Sequence, residues 1–597
     1  MYAKVVVLTY QPPEPGYFTY KIPPEMKIKP GQLVKVPFGK REPLGIVLTT
    51  RNGLDRRRLT VWSTRSRLNH KILNQVQNDE INYKNISEIV LPDPLLPPHL
   101  IDLLKWMASY YQAPLVNCLE AMMPEIPKRL SPEYGQGRTL RSSLQGSTSS
   151  TLVLVPTINR LAEIMAKYPQ AKNPVQFHNQ LKTSEKFANW LAILSGQADY
   201  IFGSRSAIFA PTPNLKKIII YDEHDGAYKD ERSPYYDTLT VAQKIAQFTV
   251  AKIEIIDSAP RITTYFQYED SPRTKSAHIK WLEDCPRWVH RTFIVGMAQE
   301  RQMGNFTHLS GLLEDFIRRN YKKGGKTLLF LNKKAESGQF YCKNCTYQGY
   351  FNAKPFSCPK CKSRNFNFYT TNLFTLANEV KKLVDITPKL IAEDKTFRPH
   401  FSPSLVDITT SYIFYAQTFA KYQLAAHIAA DTTLNRTGYT APEIFYSEIQ
   451  SLKNLLIEKG VLVIQTYDPN NPVVKAASSD NYKAFYENEL SGRKQLKYPP
   501  YAIFVKITGH GKDKEKALRD TKNLTENIKR LNYDGLTVLG PSESRASRSE
   551  ARFSIILKKE LKNYSLQARE KALTELHDVI SPVKKDFQVI VEPGDLD

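Results

Sequence analysis

The segment Lys217-Ile-Ile-Ile-Tyr-Asp-Glu-His-Asp225 joins a short apolar run to four consecutive polar residues. The run from Lys217 to Tyr221 has the length and the branched side chains of a buried β-strand. Three similar runs, at Leu152 to Val155, Ile201 to Phe202 and Ile253 to Asp257, flank it with helical stretches between them. Short apolar strands that alternate with helices predict a parallel sheet, so we expect an α/β domain here.

The same alternation returns after Gly324, with apolar runs at Lys326 to Asn332, Leu405 to Ile408 and Val461 to Thr466. The first 50 residues read as short strands joined by tight turns. Residues 502 to 591 follow the order strand, helix, strand, strand, helix, strand of a ferredoxin-like domain. We therefore expect an α/β multidomain protein with a small N-terminal β-module, two parallel-sheet lobes and a C-terminal ferredoxin-like α+β domain.

Domain boundaries follow from these patterns and from composition. Residues 51–80 read as a flexible basic insertion, and residues 126–150 are rich in Pro, Gly, Ser and Arg, as linkers are. The predicted units are 1–125 for the β-module and its following helix, 126–150 for the linker, 151–310 for lobe one, 311–475 for lobe two and 476–597 for the C-terminal domain.

The net charge points to a polyanionic partner. The 597 residues include 83 Lys and Arg against 59 Asp and Glu, a formal charge of +24. Such an excess is typical of nucleic-acid-binding proteins, although solubility alone is an alternative explanation. No apolar run is long enough to span a membrane, and six cysteines are few, so we expect a protein of the reducing cytoplasm with no membrane partner.

Four of the cysteines form two doublets, Cys342-Lys-Asn-Cys345 and Cys358-Pro-Lys-Cys361, with twelve residues between them. Each doublet can present two thiolates to one metal ion, and two doublets complete a tetrahedral site. The sequence therefore predicts one Zn²⁺ in a module at 340–369, inserted in lobe two. The aromatic and lysine residues around the doublets could contact nucleic acid or a partner, or could simply form the core of so small a module.

Several motifs, taken in order, resemble the PriA (primosomal protein N′) family of bacterial replication-restart DNA helicases. The resemblance covers most of the chain. The motifs are Phe18-Thr-Tyr20 with Val36-Pro-Phe-Gly-Lys40, Phe202-Gly-Ser-Arg-Ser-Ala-Ile-Phe209, Tyr221-Asp-Glu-His-Asp225, Leu329-Phe-Leu-Asn332 and Tyr498-Pro-Pro-Tyr501. The resemblance implies two RecA-like lobes of a superfamily-two helicase.

The resemblance also implies DNA-binding residues. In the family the N-terminal β-module holds the 3′ end of a nascent strand. The matching positions in this sequence are Phe18, Thr19, Gly39, Lys40 and Lys84. An aromatic ring can stack on a terminal base, and lysines can meet phosphates. An ordinary barrel core explains Phe18 equally well. Arg205 lies where such lobes grip the DNA backbone, and we expect it to be the lobe-one contact.

The nucleotide-binding motifs of the family are degenerate. Val155-Pro-Thr-Ile-Asn159, which follows the first strand of lobe one, lacks the glycines and lysine of a phosphate-binding loop. Asp222 and Glu223 are the remnant of the Mg²⁺ and water-orienting pair, with Tyr221 at the Mg²⁺ position in one alignment. The arginine motif of lobe two is missing between Glu448 and Ile457. We therefore predict no catalytic residue, and binding of ATP and Mg²⁺ stays open.

The resulting hypothesis is a PriA-like DNA-binding protein of replication restart and primosome assembly without ATPase activity. It would recognise forks, 3′ ends and single strands, and its partners would include single-strand-binding protein and primosome proteins at the nucleoid. Two alternatives are an active ATP-dependent 3′–5′ DNA helicase with an atypical site and a structural zinc-bearing scaffold protein.

Overall fold

The computed structural model describes residues 1–8, 16–52, 83–127, 149–269, 277–281, 291–332, 338–345, 347–351, 357–369, 372–391, 404–415, 421–543 and 550–596. Most of the predicted basic insertion at 51–80 and most of the predicted linker at 126–150 lie outside these residues. No helix in the described ranges combines the length and the apolar character that a bilayer crossing requires.

The N-terminal module is an antiparallel sheet with a core on each side. Across the sheet the strands are Phe18–Lys21, Tyr2–Val7, Leu44–Arg51, Leu33–Lys35 and Glu88–Ile89. Alternation along the strand Tyr2–Val7 places Val5 in a small core with Tyr20 and places Val6 against the helices Pro98–Tyr110 and Leu115–Met122. The two cores fix which face each strand residue can occupy.

Lobe one is a parallel sheet, as the sequence predicted, and it has six strands where the sequence indicated four. Across the sheet the strands are Ala277–Trp281, Lys252–Asp257, Leu215–Tyr221, Ser150–Leu154, Tyr200–Gly203 and Pro174–Phe177. Its helices are Leu161–Ala166, Thr183–Leu194, Thr238–Thr249 and Ile262–Tyr268. The strand Leu215–Tyr221 lies inside the sheet, so the polar residues that follow it emerge at the carboxyl edge, where ligands of such sheets bind.

Lobe two is a second six-stranded parallel sheet. Across the sheet the strands are Arg291–Gly296, Leu456–Thr466, Tyr422–His427, Thr327–Phe330, Val406–Thr409 and Lys389–Ile391. Its helices are Met297–Gln302, Gly311–Lys322, Leu373–Val384, Ala441–Asn454 and Pro472–Ser478. The boundary at 310 assigned Arg291–Gly296 to lobe one, but its hydrogen-bonded ladder with Leu456–Thr466 joins it to lobe two. The lobes therefore meet before residue 291.

The module predicted to bind zinc and the C-terminal domain form two separate antiparallel sheets. The module has strands Gln348–Phe351, Gly338–Cys342 and Phe366–Tyr369 in that spatial order. After the helix Tyr482–Leu496, the C-terminal sheet has the spatial order Leu536–Glu543, Ala551–Glu560, Ala502–Gly511 and Gln588–Val591, with helices Lys514–Arg530, Leu566–Glu575 and His577–Ile580. This strand order confirms the predicted ferredoxin-like domain.

Buried contacts join the domains. One continuous core contains Met107 of the N-terminal helices, Ile245 of lobe one and Leu573 of the C-terminal domain. Across this junction the indole of Trp106 donates to a carboxylate oxygen of Glu570 at 2.6 Å. The carboxyl edge of lobe one is therefore held in a fixed relation to the N-terminal module.

Val250, directly after the helix Thr238–Thr249, has a left-handed backbone with φ of +57° and is 86% exposed. A branched side chain in this region costs free energy, whereas asparagine adopts it readily. We expect Val250→Asn to raise the free energy of unfolding by about 1 kcal/mol. Urea denaturation of the full chain measures the change. Thr249→Asn, one residue earlier with ordinary helical geometry, should not stabilise the protein.

Candidate DNA-binding and metal sites

The two aromatic residues near the predicted DNA site, Phe18 and Phe38, lie on a strand and on the turn that packs against it. The rings of Phe18 and Phe38 meet edge to face with centroids 5.3 Å apart. The turn is closed by two backbone hydrogen bonds, from the Phe38 amide to the Arg41 carbonyl at 2.8 Å and from the Arg41 amide to the Phe38 carbonyl at 3.0 Å. Gly39 has φ of +60° and no atom within 4 Å of where a Cβ would stand. Gly39 and Lys40 are both exposed, so a ligand can approach the backbone of this turn.

Thr19 faces the other side of the sheet from Phe18. It pairs with Lys4 across the ladder, whereas Phe18 pairs with buried Val5. Exposed Lys84 lies next to Lys21, whose amide donates to the Lys84 carbonyl at 2.9 Å. The predicted residues therefore form two groups, one at the Phe38 turn and one around Lys84, with Thr19 between them along the strand.

Arg205 is mainly engaged within lobe one. Its Nη1 donates to the carbonyls of Ala227 and Lys229 at 2.9 and 2.7 Å, and its Nη2 lies 3.1 Å from a carboxylate oxygen of Asp230. Its side chain is 26% exposed. The guanidinium thus anchors the loop that follows Glu223, and its predicted DNA contact stays a prediction.

The four cysteine sulfurs form a compact group. All lie within 4.8 Å of one another, with Cys342 and Cys361 sulfurs 3.5 Å apart and Cys345 and Cys358 sulfurs 3.7 Å apart. A tetrahedral zinc site with bonds of about 2.3 Å has sulfur–sulfur edges of about 3.8 Å. Burial by itself would raise the pKa of the Cys342 thiol, but amides of Cys345 and Asn344 help lower it to about 6. The cluster thus fits one metal ion held by four thiolates.

Asp222, at the carboxyl edge of lobe one, is neutralised by the protein itself. Arg160, at the end of the turn Ile158–Arg160 in the segment that follows the first strand, forms an ion pair with the Asp222 carboxylate. Burial nevertheless raises the pKa of Asp222 to about 6, against the opposing charge of Arg160. The Asp222 carboxylate is thus already paired with a guanidinium from the segment that follows the first strand.

Glu223 is also paired within the protein. Its side chain is 1% exposed and bonds the guanidinium of Arg261. The Thr264 hydroxyl donates to the same carboxylate at 3.0 Å. Arg261 contacts Asp237 as well, with Nη1 2.8 Å from Oδ2. Arg160 and Arg261 were not predicted from the sequence, because nothing in a single arginine beside a degenerate motif distinguishes it from a surface residue.

His224 is held by Asp257, with Nδ1 2.7 Å from Oδ1 and its backbone amide 3.0 Å from Oδ2. Burial by itself would lower the pKa of His224, but Asp257 helps raise it to about 9. An unfolded histidine loses its proton near pH 6.5, so this stabilisation is complete below that pH and is lost as pH rises through 9.

We therefore expect the free energy of unfolding to fall by up to about 1.4 kcal/mol per pH unit between pH 6.5 and 9. Urea denaturation at three pH values in this window measures the slope. His224→Gln should flatten it, whereas His510→Gln, at an exposed position in the C-terminal domain, should leave it unchanged. An unaltered slope in the His224 variant would show that another group titrates.

The two lobes touch at the carboxyl edge of lobe one. The Asn159 side chain donates to the Tyr415 carbonyl of lobe two. The Ile262 amide donates to Glu443 at 3.0 Å. The hydroxyl of Tyr482, whose ring packs in the core of lobe two, donates to the Pro260 carbonyl at 2.6 Å. The segments that carry Arg160 and Arg261 are therefore also the segments that contact lobe two.

Comparisons with known proteins agree with this architecture. Residues 5–124 match a family model described as the 3′DNA-binding domain (3′BD) of PriA. Replication restart protein PriA of Bacillus subtilis is 26% identical over 479 residues, covering 70% of this chain and 59% of that protein. PriA of Rickettsia conorii is 23% identical over 621 residues, covering 89% of this chain and 91% of that protein.

This chain matches only part of the length of some of these relatives. The chain spans 59% of the Bacillus subtilis protein and 55% of the Synechocystis protein. Among solved structures, Mycobacterium smegmatis helicase Lhr bound to ssDNA and AMP-PNP has a TM-score of 0.32 and 9% identity to this chain, and the match covers 56% of this chain and 43% of that one. The chain thus resembles the replication restart protein PriA over most of its length, with a match to the 3′DNA-binding domain in its N-terminal module.

Proposed function

We propose that this protein is a PriA-like DNA-binding protein of replication restart that recognises forked or 3′-ended DNA. The match of residues 5–124 to a 3′DNA-binding domain carries this proposal. The exposed turn at Gly39 and the exposed Lys84 support it, because both are accessible to a strand end. The module, rather than the lobes, would provide recognition of the end.

We further propose that the protein does not hydrolyse ATP. The pairing of Arg160 with Asp222 and of Arg261 with Glu223 supports this, since both carboxylates would have to exchange a fixed guanidinium for Mg²⁺ or water. The segment Val155 to Asn159 offers neither a glycine-rich backbone cradle nor a lysine for phosphate. The lobes would then serve as a scaffold that positions the DNA-binding module and the C-terminal domain.

Two measurements on the purified full chain test the nucleotide proposal. Calorimetry with ATP and Mg²⁺ should give no binding heat at submillimolar concentration, and ATP turnover with forked DNA should equal the protein-free rate. A helicase with an intact phosphate-binding loop is the positive control. Turnover above the baseline would establish the alternative, an active ATP-dependent 3′–5′ helicase with an atypical site.

Recognition of the strand end is tested at Thr19. The Thr19 hydroxyl can accept a hydrogen bond from a terminal 3′-hydroxyl, and such a bond is worth about 1 kcal/mol, or roughly fivefold in affinity. We expect Thr19→Val to bind a 3′-hydroxyl fork about fivefold more weakly and a 3′-phosphate fork unchanged, by fluorescence anisotropy. Thr50→Val, on the same sheet but paired with Ala3 on the opposite face, is the matched control. Equal losses on both forks would contradict the assignment.

The partners and location follow from the same proposal. We propose that the protein acts at the nucleoid in the cytoplasm and docks single-strand-binding protein and primosome proteins, with the zinc module as a structural element of lobe two. Anisotropy titrations with purified single-strand-binding protein on forked DNA test the partner. Absence of any fork binding by the full chain would favour the structural zinc-bearing scaffold instead.

A further inference from the structure

A second surface of the N-terminal module lies on the side of the sheet that Thr19 faces. Two cross-strand rows form it: Lys21, Tyr2 and Arg51 in one row and Thr19, Lys4 and Thr49 in the next. Residues paired across antiparallel strands have Cβ atoms about 5 Å apart on the same face. We call these six residues the basic face. Among the described residues, the helices on this side of the sheet pack against Val6, farther along the same strand, and Lys21 and Arg51 at the other end are exposed.

Tyrosine rings border the basic face. The rings of Tyr2 and Tyr83 meet edge to face with centroids 5.5 Å apart. The Lys4 ammonium donates to the Tyr17 hydroxyl at 2.9 Å and lies 4.6 Å from the centre of that ring. All three tyrosines are half-buried, so each ring is held in place and still has an accessible side. Fixed, partly exposed rings beside cations are the features on which nucleic-acid bases stack.

The charge of the basic face has one sign. Its two rows contain three cations and no carboxylate, and Lys84 adds a fourth cation beside Lys21. Two acids of the module are engaged elsewhere: Glu88 forms an ion pair with Lys35 at 2.5 Å, and Glu42 accepts from Ser87 at 2.8 Å. Lys21 and Arg51 are both exposed at the surface of the described residues.

We propose that the basic face binds the sugar-phosphate backbone and bases of a DNA strand whose 3′ end lies near Thr19. This inference rests on the proposed function and extends it from the strand end to the nucleotides that precede the end. Lys21 and Arg51 neutralise phosphates at the two edges of one row, and Tyr83 supplies the stacking ring. A phosphate backbone with bases fits this combination better than an acidic peptide, because every nucleotide carries a planar base beside its phosphate, whereas Asp and Glu side chains carry no ring.

Salt dependence of binding by the full chain tests the phosphate contacts. Each contact to a single-stranded phosphate contributes about 0.7 to the slope of log K against log salt. For a 5′-labelled single-stranded oligonucleotide, Lys21→Gln/Arg51→Gln should therefore reduce the magnitude of that slope by about 1.4. Lys381→Gln/Lys382→Gln, on an exposed part of a lobe-two helix, makes the same change in net charge and should leave the slope as it is. Equal slopes for the two double variants would overturn the proposal.

Stacking is tested separately at Tyr83. Loss of one stacked ring weakens binding by roughly 5- to 150-fold, so Tyr83→Ala should fall in this range while Tyr83→Phe stays within about twofold of the native chain. Thermal unfolding of both variants checks that the module is folded. Equal losses for the two variants would exclude stacking. If polyglutamate of equal charge binds as tightly as DNA and is equally sensitive to Tyr83→Ala, the surface is a site for acidic protein and the DNA assignment is wrong.

These outcomes are distinguishable from failure of the proposed function. The Lys21 and Arg51 variant should keep the native ratio of affinities for 3′-hydroxyl and 3′-phosphate forks, because that ratio depends on Thr19. If the native chain shows no preference between the two forks, recognition of the strand end fails, but the slope and the tyrosine result still decide whether the basic face binds DNA.

Discussion

We expect the native chain to bind one zinc ion and the Cys358→Ser variant to bind nearly none. Cys358 is fully buried, and its sulfur lies 3.7 Å from that of Cys345. A serine hydroxyl is a weaker ligand than a thiolate and reaches less far from the backbone, so it cannot replace this sulfur. Structural zinc sites of small modules contribute about 10–16 kcal/mol of apparent binding free energy, and most of the order of the module depends on them. Zinc content by mass spectrometry measures the loss.

The same substitution should disorder the zinc module without unfolding lobe two. The strands of lobe two have their own apolar cores on both sides of the sheet, whereas the module depends on its cysteine cluster. We expect faster tryptic cleavage at Lys343 and Lys360 in the Cys358→Ser variant, with the main thermal transition shifted little. Cys118→Ala, in the core that joins the N-terminal module, lobe one and the C-terminal domain, should keep full zinc content. Stoichiometric zinc in the Cys358 variant would show that the four cysteines do not form the metal site.

Replacement of Arg261 by methionine is expected to lower the free energy of unfolding by about 3–5 kcal/mol at pH 7. Arg261 is the shared partner of Glu223 and Asp237, which are 1% and 6% exposed. Methionine keeps much of the volume and removes the charge, so two buried carboxylates lose their counter-ion. Urea denaturation measures the loss, and Arg319→Met, at an exposed pair with Asp315, should change stability by no more than about 0.5 kcal/mol.

The pH dependence of this variant separates a lost charge from lost packing. Burial alone would raise the pKa of Asp237, but Arg261 and Lys229 hold it well below its usual value. In the native chain this stabilisation is therefore present above the unfolded pKa and is lost as pH falls. In the variant the carboxylates titrate at raised pKa values, so protonation relieves them as pH falls. The difference in free energy of unfolding between the native chain and the Arg261→Met variant should therefore become smaller from pH 7 to pH 5. A difference that stays constant over this range would contradict the electrostatic explanation.

Features of the fold that depend on local spacing could be predicted from the sequence, whereas pairing between distant strands could not. The cysteine spacing predicted the metal cluster because two doublets at this separation are a local pattern, and the four sulfurs are brought together. The strand order of the C-terminal domain was likewise predictable from the alternation of apolar runs. The boundary at 310 was wrong for Arg291–Gly296, because strand pairing with residues 461–466 is set across 170 positions that no local pattern records.

The partners of the two carboxylates in the degenerate nucleotide motif became known only from the fold. The sequence showed that Asp222 and Glu223 lack a phosphate-binding loop, but not that Arg160 and Arg261 pair with them. Arg160 and Asp222 are 62 residues apart in the sequence, and Glu223 and Arg261 are 38 apart. The parallel sheet brings them together, because it places the ends of its strands at one edge. Likewise the basic face joins residues from three strands whose common side is decided by register.

By itself the sequence determined the α/β class, the ferredoxin-like order, the cysteine cluster and the basic character, since each depends on composition or on spacing within a few tens of residues. Only the tertiary structure decided which lobe owns Arg291–Gly296, which cations neutralise the buried carboxylates and which side chains share the basic face. Those features depend on pairing between distant segments, and that pairing is fixed by the burial of whole sheet faces rather than by any local pattern.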